Sequence, residues 1–221
     1  MKLRKYVIRS LAAGVFMASC GSAYGTEFLP LSVVEAAQVE PAAGTAAPLV
    51  AGKVSDSLKL DTKAYAVKQM QVNGQAINFR AYENRVYVTK PVDVEYEKMN
   101  IYIPEAYFEN QTINGYTAKT APIFMPNEVG GYMPGEAGEP SEESRHGGPN
   151  AALIALSKGY VVAAPAVRGR TLQAADGSYT GKAPALIVDY KAAVRYLRYN
   201  KDTLPAGDTE KIISNGTSAG G

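Results

Sequence analysis

The last six residues of the sequence, 216–221, constrain the fold more than any other feature. They read Gly-Thr-Ser-Ala-Gly-Gly, and the pattern Gly-x-Ser-x-Gly is typical of a serine on a sharp turn between a strand and a helix. Glycines two positions to either side of Ser218 let the backbone turn tightly enough to expose its hydroxyl. Residues 211–215 predict a short buried strand entering this turn, central in its sheet. We therefore interpret Ser218 as a candidate nucleophile.

The same pattern also arises by chance in glycine-rich loops, so the preceding chain has to support it. Alternating Tyr and Val residues predict antiparallel strands, which we place at 64–72, 76–82, 85–89 and 97–104. The dipeptide Asn73-Gly74 predicts a hairpin turn between the first two of them. These antiparallel strands precede an alternation of strands and helices that leads up to Ser218. This context favours the interpretation of Ser218 as a nucleophile over a chance occurrence of the pattern.

The second half of the chain predicts parallel strands with covering helices. Apolar strands are expected at 121–125 and 160–165, with a helix over 150–158 that ends at Gly159. A second helix starts with Pro184 at its first position, and its apolar stripe comprises Leu186, Ile187, Tyr190, Val194 and Leu197. The predicted fold class is α/β, as in the N-terminal part of an α/β-hydrolase sheet.

Residues 1–20 predict a signal for export. Four basic residues and no acids lie in the first 25 positions, which leaves 19 basic against 21 acidic residues in the rest, so no nucleic-acid partner is expected. Met17-Ala18-Ser19-Cys20-Gly21 is similar to a bacterial lipoprotein box, which makes Cys20 the lipidated residue and the membrane a partner. The alternative is cleavage after residues 23–25, which gives a soluble exported protein. An Ala/Pro-rich tether is expected over 21–63 and the folded domain over 64–221.

An ester carbonyl attacked by a serine needs two N–H donors for the oxygen that becomes negative. Ala219 supplies one by its position after the nucleophile, and the second is expected from the loop after an apolar strand, at Gly130 or Gly131. A plain Gly-Gly turn is the alternative interpretation. His146 is the one histidine of the sequence and precedes Ser218, whereas the triad order on this fold is Ser, acid, His. We therefore interpret it as a surface residue.

Arg168 and Arg170 follow the strand at 160–165, and loops at the carboxyl ends of parallel strands gather around active sites. These arginines could bind a substrate carboxylate or phenolate, or they could pair with acids such as Asp189 and hold the loop. The sequence has no Cys/His cluster and no phosphate-binding or dinucleotide-binding motif. Neither a metal nor a cofactor is therefore expected.

Several segments together resemble one family, the bacterial tannase and feruloyl-esterase-like α/β-hydrolases. These segments are residues 100–104, 159–162, 168–170, 181–185, 189–198 and 216–221. The resemblance covers residues 64–221 and implies hydrolysis of carboxylic esters, with phenolic esters among the substrates, through an acyl-enzyme on Ser218. It also implies that the acid, the histidine and most substrate-binding groups lie beyond residues 216–220, which we call the serine turn.

The resemblance makes this sequence an N-terminal half, which we expect to be nearly inactive alone because it lacks the general base. We also expect it to be poorly soluble, because the last strand is left as an unpaired edge with an uncovered apolar face. Two alternatives stay open: a serine peptidase of the same fold, and a non-catalytic exported protein that binds a ligand or is vestigial.

Overall fold

A computed structural model describes residues 56–220, which form a six-stranded mixed sheet of α/β type. The strands are β1 (Ala66–Val72), β2 (Gln75–Val86), β3 (Lys98–Pro104), β4 (Pro122–Asn127), β5 (Val161–Pro165) and β6 (Asp208–Gly216). The helices are α1 (Ala151–Ser157) and α2 (Ala185–Tyr199), and short 3-10 turns lie at Asp56–Leu58, Glu105–Glu109 and Ser218–Gly220. None of the helices among these residues is long and apolar enough to span a membrane.

The antiparallel half begins with the predicted hairpin. Asn73 (φ 51°) and Gly74 (φ 78°) both adopt the left-handed conformation that a two-residue turn between antiparallel strands requires. The strands predicted at 76–82 and 85–89 are one strand, β2. Its pairing with β3 shifts register between Tyr82 and Arg85, where Asn84 has φ 56°. A bulge absorbs the irregularity without ending the strand.

The strand order is β1-β2-β3-β5-β4-β6, and it brings two strand ends together. β4 is parallel both to β5 on one side and to β6 on the other. The chain therefore leaves β4 in one direction, makes β5, and returns past β4 to make β6. Asn127 at the end of β4 pairs with Gly216 at the end of β6. Loops that follow these two strands must therefore emerge side by side.

Each face of the sheet carries one helix and one apolar cluster. On one face α1 packs Leu153 and Leu156 against Tyr102 and Val162. On the other, α2 packs Leu197 with a second set that includes Ile101, Met99, Ile123 and Val161. Neighbouring residues of β3 and β5 point to opposite faces, as strand geometry dictates. Burial on both faces explains why β5 is a continuous apolar run.

The helix ends follow their local sequence signals with one difference. The side chain of Asn150 accepts a hydrogen bond from the N–H of Leu153 (3.0 Å) before α1, and Gly159 with φ 87° follows its end, as predicted. Pro184 stands at the N-cap of α2 rather than at the predicted first helical position. Ile187, expected in the buried stripe of this helix, is 69% exposed.

The last strand is expected to be buried and central only with further strands beside it, and to leave an unpaired edge in this half alone. Among the described residues, β6 lies at the edge of the sheet and has β4 as its one neighbour. Most of its residues are exposed, and Ile213 is 42% exposed. The edge position agrees with the expectation for this half.

Residues just before the predicted domain boundary at 64 also pack. Leu60 is 4% exposed, and its N–H donates to Oδ1 of Asn200 after α2 (2.8 Å), while Nδ2 of Asn200 donates to the carbonyl of Leu58 (2.9 Å). The packed part therefore reaches at least Leu58. The predicted signal at 1–20, Cys20 and the tether up to residue 55 lie outside the described residues.

Candidate functional site

Ser218 occupies a strained position directly after β6. It begins the 3-10 turn Ser218–Gly220, and its φ of 56° lies in the left-handed region that non-glycine residues seldom adopt. The residue is exposed at its position beyond the carboxyl end of the strand. Backbone strain of this kind concentrates at functional sites because packing must hold the residue in place.

Two glycines make the turn sterically possible. A Cβ on Gly216 would lie 2.1 Å from the carbonyl oxygen of Gly220, and a Cβ on Gly220 would lie 2.7 Å from that of Asn127. Both contacts are with backbone and are too short for any side chain. The glycines of the motif are therefore needed for a close approach of chain segments, as the sequence pattern predicted.

A second tight turn follows β4, in the loop that contains Gly130 and Gly131. Gly131 (φ 57°) and Tyr132 (φ 58°) are both left-handed, and the N–H of Met133 donates to the carbonyl of Gly130 (3.0 Å). These features define a type I′ turn, which we call the glycine turn (residues 130–133). Within residues 56–220, the N–H groups of Gly130 and Gly131 donate to no acceptor. Both glycines are exposed.

The serine turn and the glycine turn lie at the same edge of the sheet. They follow neighbouring parallel strands, and a Cβ on Gly220 would come within 3.2 Å of the carbonyl oxygen of Val129. The chain also reverses its direction of progress at β4, and such switch points are where open α/β sheets bind ligands. Ser218, Ala219, Gly130 and Gly131 are thus brought into one region.

Asn127 connects the two turns. Its Nδ2 donates to the carbonyl of Gly220 (2.6 Å), and its Oδ1 accepts from the N–H of Val129 (3.3 Å). This residue was not among the predicted site residues. A polar residue at the end of an apolar strand, just before a glycine pair, is the signal that could have found it.

Arg170, in the loop after β5, binds two carbonyl groups of the glycine turn. Its backbone N–H donates to the carbonyl of Tyr132 (2.8 Å), and its Nε donates to the carbonyl of Gly131 (2.9 Å). The neighbouring Gly169 packs so closely that a Cβ there would lie 2.0 Å from the nitrogen of Pro134. The loop after β5 therefore holds the conformation of the loop after β4.

The side chain of Arg168 binds other residues of the protein. The carboxylate of Asp189 in α2 is fully buried and accepts hydrogen bonds from the backbone N–H (2.9 Å), Nε (3.0 Å) and Nη2 (2.7 Å) of Arg168. The Nη1 of Arg168 donates to the carbonyl of Thr180 (3.1 Å). The hydrogen bond to Asp189 raises the pKa of the Arg168 guanidinium. These contacts match the alternative in which Arg168 holds the loop. They leave its guanidinium facing protein rather than substrate.

A mostly apolar cavity of about 200 Å³ opens beside the glycine turn. Its lining comprises Tyr132, Arg170, Gly181, Ala183, Pro184, Leu186 and Ile187. The exposed aromatic ring of Tyr132 and the exposed Ile187 give it a surface that suits an apolar group.

His146 lies in an exposed loop before α1. Glu142 of the same loop accepts a hydrogen bond from the N–H of Gln71 in β1 (2.6 Å), and β1 is the strand at the opposite edge of the sheet from β6. Five strand spacings separate the two edges, on the order of 24 Å. The position of His146 agrees with the prediction of a surface residue.

Comparison with known proteins gives a specific result. No protein-family model and no curated protein matches the chain. Among solved structures, the tannase of Fusobacterium nucleatum shares 56% sequence identity over 74% of this chain and 34% of its own, with a TM-score of 0.72. Tannin acyl hydrolase in complex with ethyl gallate and in complex with 3,4-dihydroxybenzoate shares 46% identity over 75% of this chain and 36% of its own, with a TM-score of 0.68.

The matched region includes most of the described residues, and the chain spans about a third of the length of these structures. Identity of this degree, together with the shared fold, confirms the family resemblance drawn from the sequence motifs. The chain is tannase-like.

Proposed function

We propose that the chain carries the nucleophile and oxyanion-binding part of a serine ester hydrolase on an α/β-hydrolase sheet. The observation that carries the proposal is the strained, exposed Ser218 in a turn that only glycines permit, at the end of a parallel strand. The neighbouring glycine turn and the similarity to tannases support it. The strand order, with its reversal at β4, supports the fold assignment.

In the proposed reaction, Oγ of Ser218 attacks the ester carbonyl carbon and loses its proton to a base. The carbonyl oxygen becomes negative and accepts hydrogen bonds from the N–H of Ala219 and from that of Gly130 or Gly131. Collapse of this intermediate expels the alcohol, which takes up a proton, and leaves an acyl group on Ser218. Water then attacks the acyl group and releases the acid.

The one histidine of the sequence is remote from the serine turn, so we propose that this chain alone hydrolyses esters slowly. An oxyanion hole without a base still leaves roughly 10³- to 10⁴-fold catalysis over water. Acylation by a reactive ester is therefore expected to be measurable.

For the substrate we propose small phenolic esters. Tannin acyl hydrolase has been seen with ethyl gallate and with 3,4-dihydroxybenzoate. In this chain the apolar cavity beside the glycine turn could receive an aromatic ring, and the exposed Arg170 at its edge could meet a phenolate or carboxylate.

Added imidazole is expected to raise the rate of ester hydrolysis, because it replaces the base that the chain does not place beside Ser218. The measurement is release of nitrophenol from a nitrophenyl ester, with and without imidazole, for the protein and for Ser218→Ala. We expect an imidazole-dependent rate at least about 10-fold above that of Ser218→Ala, since base catalysis contributes about 10²- to 10⁴-fold.

Because imidazole itself cleaves such esters, Ser218→Ala in the same buffer is the reference. Equal rates for the two proteins would contradict the proposal and favour the non-catalytic alternative. Cleavage of the matched nitroanilide as fast as the ester would favour a serine peptidase instead.

We also propose that the protein is exported and anchored by lipid on Cys20. The basic first residues, the short apolar run and the lipoprotein-like box support this. Growth with a radiolabelled fatty acid is expected to label the protein and not Cys20→Ala. Equal labelling of the two, or a soluble product cleaved after Gly25, would contradict the anchor.

A further inference from the structure

We infer that Asn127 is a positioning residue that fixes the spacing between the serine turn and the glycine turn. The inference rests on the proposed function, because spacing matters only if Ser218 and the glycine N–H groups act on one substrate. Asn127 ends β4 and pairs with Gly216 at the end of β6. Its side chain is hydrogen-bonded to the serine turn and to Val129, the residue directly before the glycine turn.

The nitrogen and the oxygen of the Asn127 amide bind different segments, one as a donor and the other as an acceptor. Nδ2 donates to the carbonyl of Gly220 in the serine turn (2.6 Å), and Oδ1 accepts from the N–H of Val129 (3.3 Å), directly before the glycine turn. An amide is the side chain that offers a donor and an acceptor on one rigid plane. A carboxylate in its place would keep an acceptor for Val129 and lose the donor to Gly220.

Gly220, which accepts the hydrogen bond from Asn127, is held by further contacts within the serine turn and with Asn127. The N–H of Gly220 donates to the carbonyl of Thr217 (2.9 Å), which closes the serine turn. A Cβ on Gly220 would lie 3.3 Å from Cγ of Asn127. The side chain of Asn127 therefore packs against the last residue of the turn and also bonds to it. Loss of that bond lets the serine turn move relative to the glycine turn.

The test compares Asn127→Asp and Asn127→Ala with the unmodified protein. The first readout is the backbone amide resonances of Val129, Ala219 and Gly220 by NMR, which report the two turns without any reaction. The second is the rate of Ser218 acylation by a nitrophenyl ester, per folded molecule. We expect both variants to shift the resonances of 219 and 220 and Asn127→Ala to shift that of 129 as well. Acylation should fall about 10- to 100-fold, because small misplacements of reacting groups cost that much.

Asn200→Asp is the matched control. Asn200 likewise joins two segments through both ends of its amide, with Leu58 and Leu60 as partners, away from the serine turn. We expect this variant to lower the melting temperature, leave the resonances of 129, 219 and 220 in place, and acylate at the normal rate. The control therefore shows whether a loss of stability alone changes the resonances or the acylation rate.

The outcomes separate this inference from the proposed function. If both Asn127 variants fold and the three resonances stay unchanged, the inference is overturned, even when Ser218 reacts. If the resonances move as expected while Ser218 of the unmodified protein never reacts, the spacing role stands and the proposed function falls. Acylation of Asn127→Asp at the normal rate per folded molecule would also count against the inference.

Discussion

Gly216→Ala is expected to reduce acylation of Ser218 by about 100-fold or more, because the reacting groups can no longer take their positions. The added Cβ would lie 2.1 Å from the carbonyl oxygen and 2.5 Å from the carbonyl carbon of Gly220. Both atoms belong to backbone and cannot rotate away, so the serine turn must open. We also expect a loss of about 1–3 kcal/mol in the free energy of unfolding, as for other overpacked sites. Nitrophenyl ester acylation and urea unfolding measure the two effects.

Gly138→Ala is the control for this prediction. A Cβ on Gly138 would lie 3.4 Å from that of Ala164, which is an ordinary contact. This variant should keep the normal rate and stability. Acylation of Gly216→Ala at the rate of Gly138→Ala would show that the serine does not depend on the tight turn.

Asp189→Ala is expected to lower the free energy of unfolding by about 3–5 kcal/mol, since it removes the main partner of the buried Arg168 guanidinium. Asp189 is fully buried and accepts three donors of Arg168. Among residues 56–220, the acceptors left to the guanidinium would be Glu97, whose Oε1 lies 3.7 Å from Nη2, and the carbonyl of Thr180. Urea unfolding measures the loss.

The exposed pair of Arg198 and Glu210, at 3.5 Å, is the reference for this prediction. Glu210→Ala should change the free energy of unfolding by less than about 1 kcal/mol, because water screens such pairs. An Asp189→Ala protein as stable as Glu210→Ala would mean that this network does not hold the loop after β5.

Local signals in the sequence predicted the local structure well. Asn73-Gly74 marks a turn whose two central residues both need positive φ, and Gly159 marks the end of α1 for the same reason. The serine turn was predicted because Gly216 is required by a close approach to Gly220, four residues along the chain. Each of these features depends on neighbours in sequence, and a sequence pattern can therefore report it.

Features that depend on distant residues could not be predicted in the same way. Asn127 and Gly220 are 93 residues apart, and no local sequence pattern around either residue predicts their hydrogen bond. The place of β6 next to β4 follows from the strand order, which the composition of β6 does not encode. Arg168 and Asp189 were foreseen as one possible pair, but only the packing of α2 decides that the carboxylate is buried. Tertiary contacts set all three.

The most direct test of the account is the position of the acyl group after reaction with a nitrophenyl ester. Trypsin cleavage after Lys211 gives a C-terminal peptide that starts at Ile212 and contains both Ser214 and Ser218. Tandem mass spectrometry of this peptide therefore compares a strand serine with the turn serine in one measurement. We predict one acyl group per chain, on Ser218, and none in Ser218→Ala. Acylation spread over Ser214 and other hydroxyl groups, with Ser218 unmodified, would contradict the claim that this serine is the nucleophile.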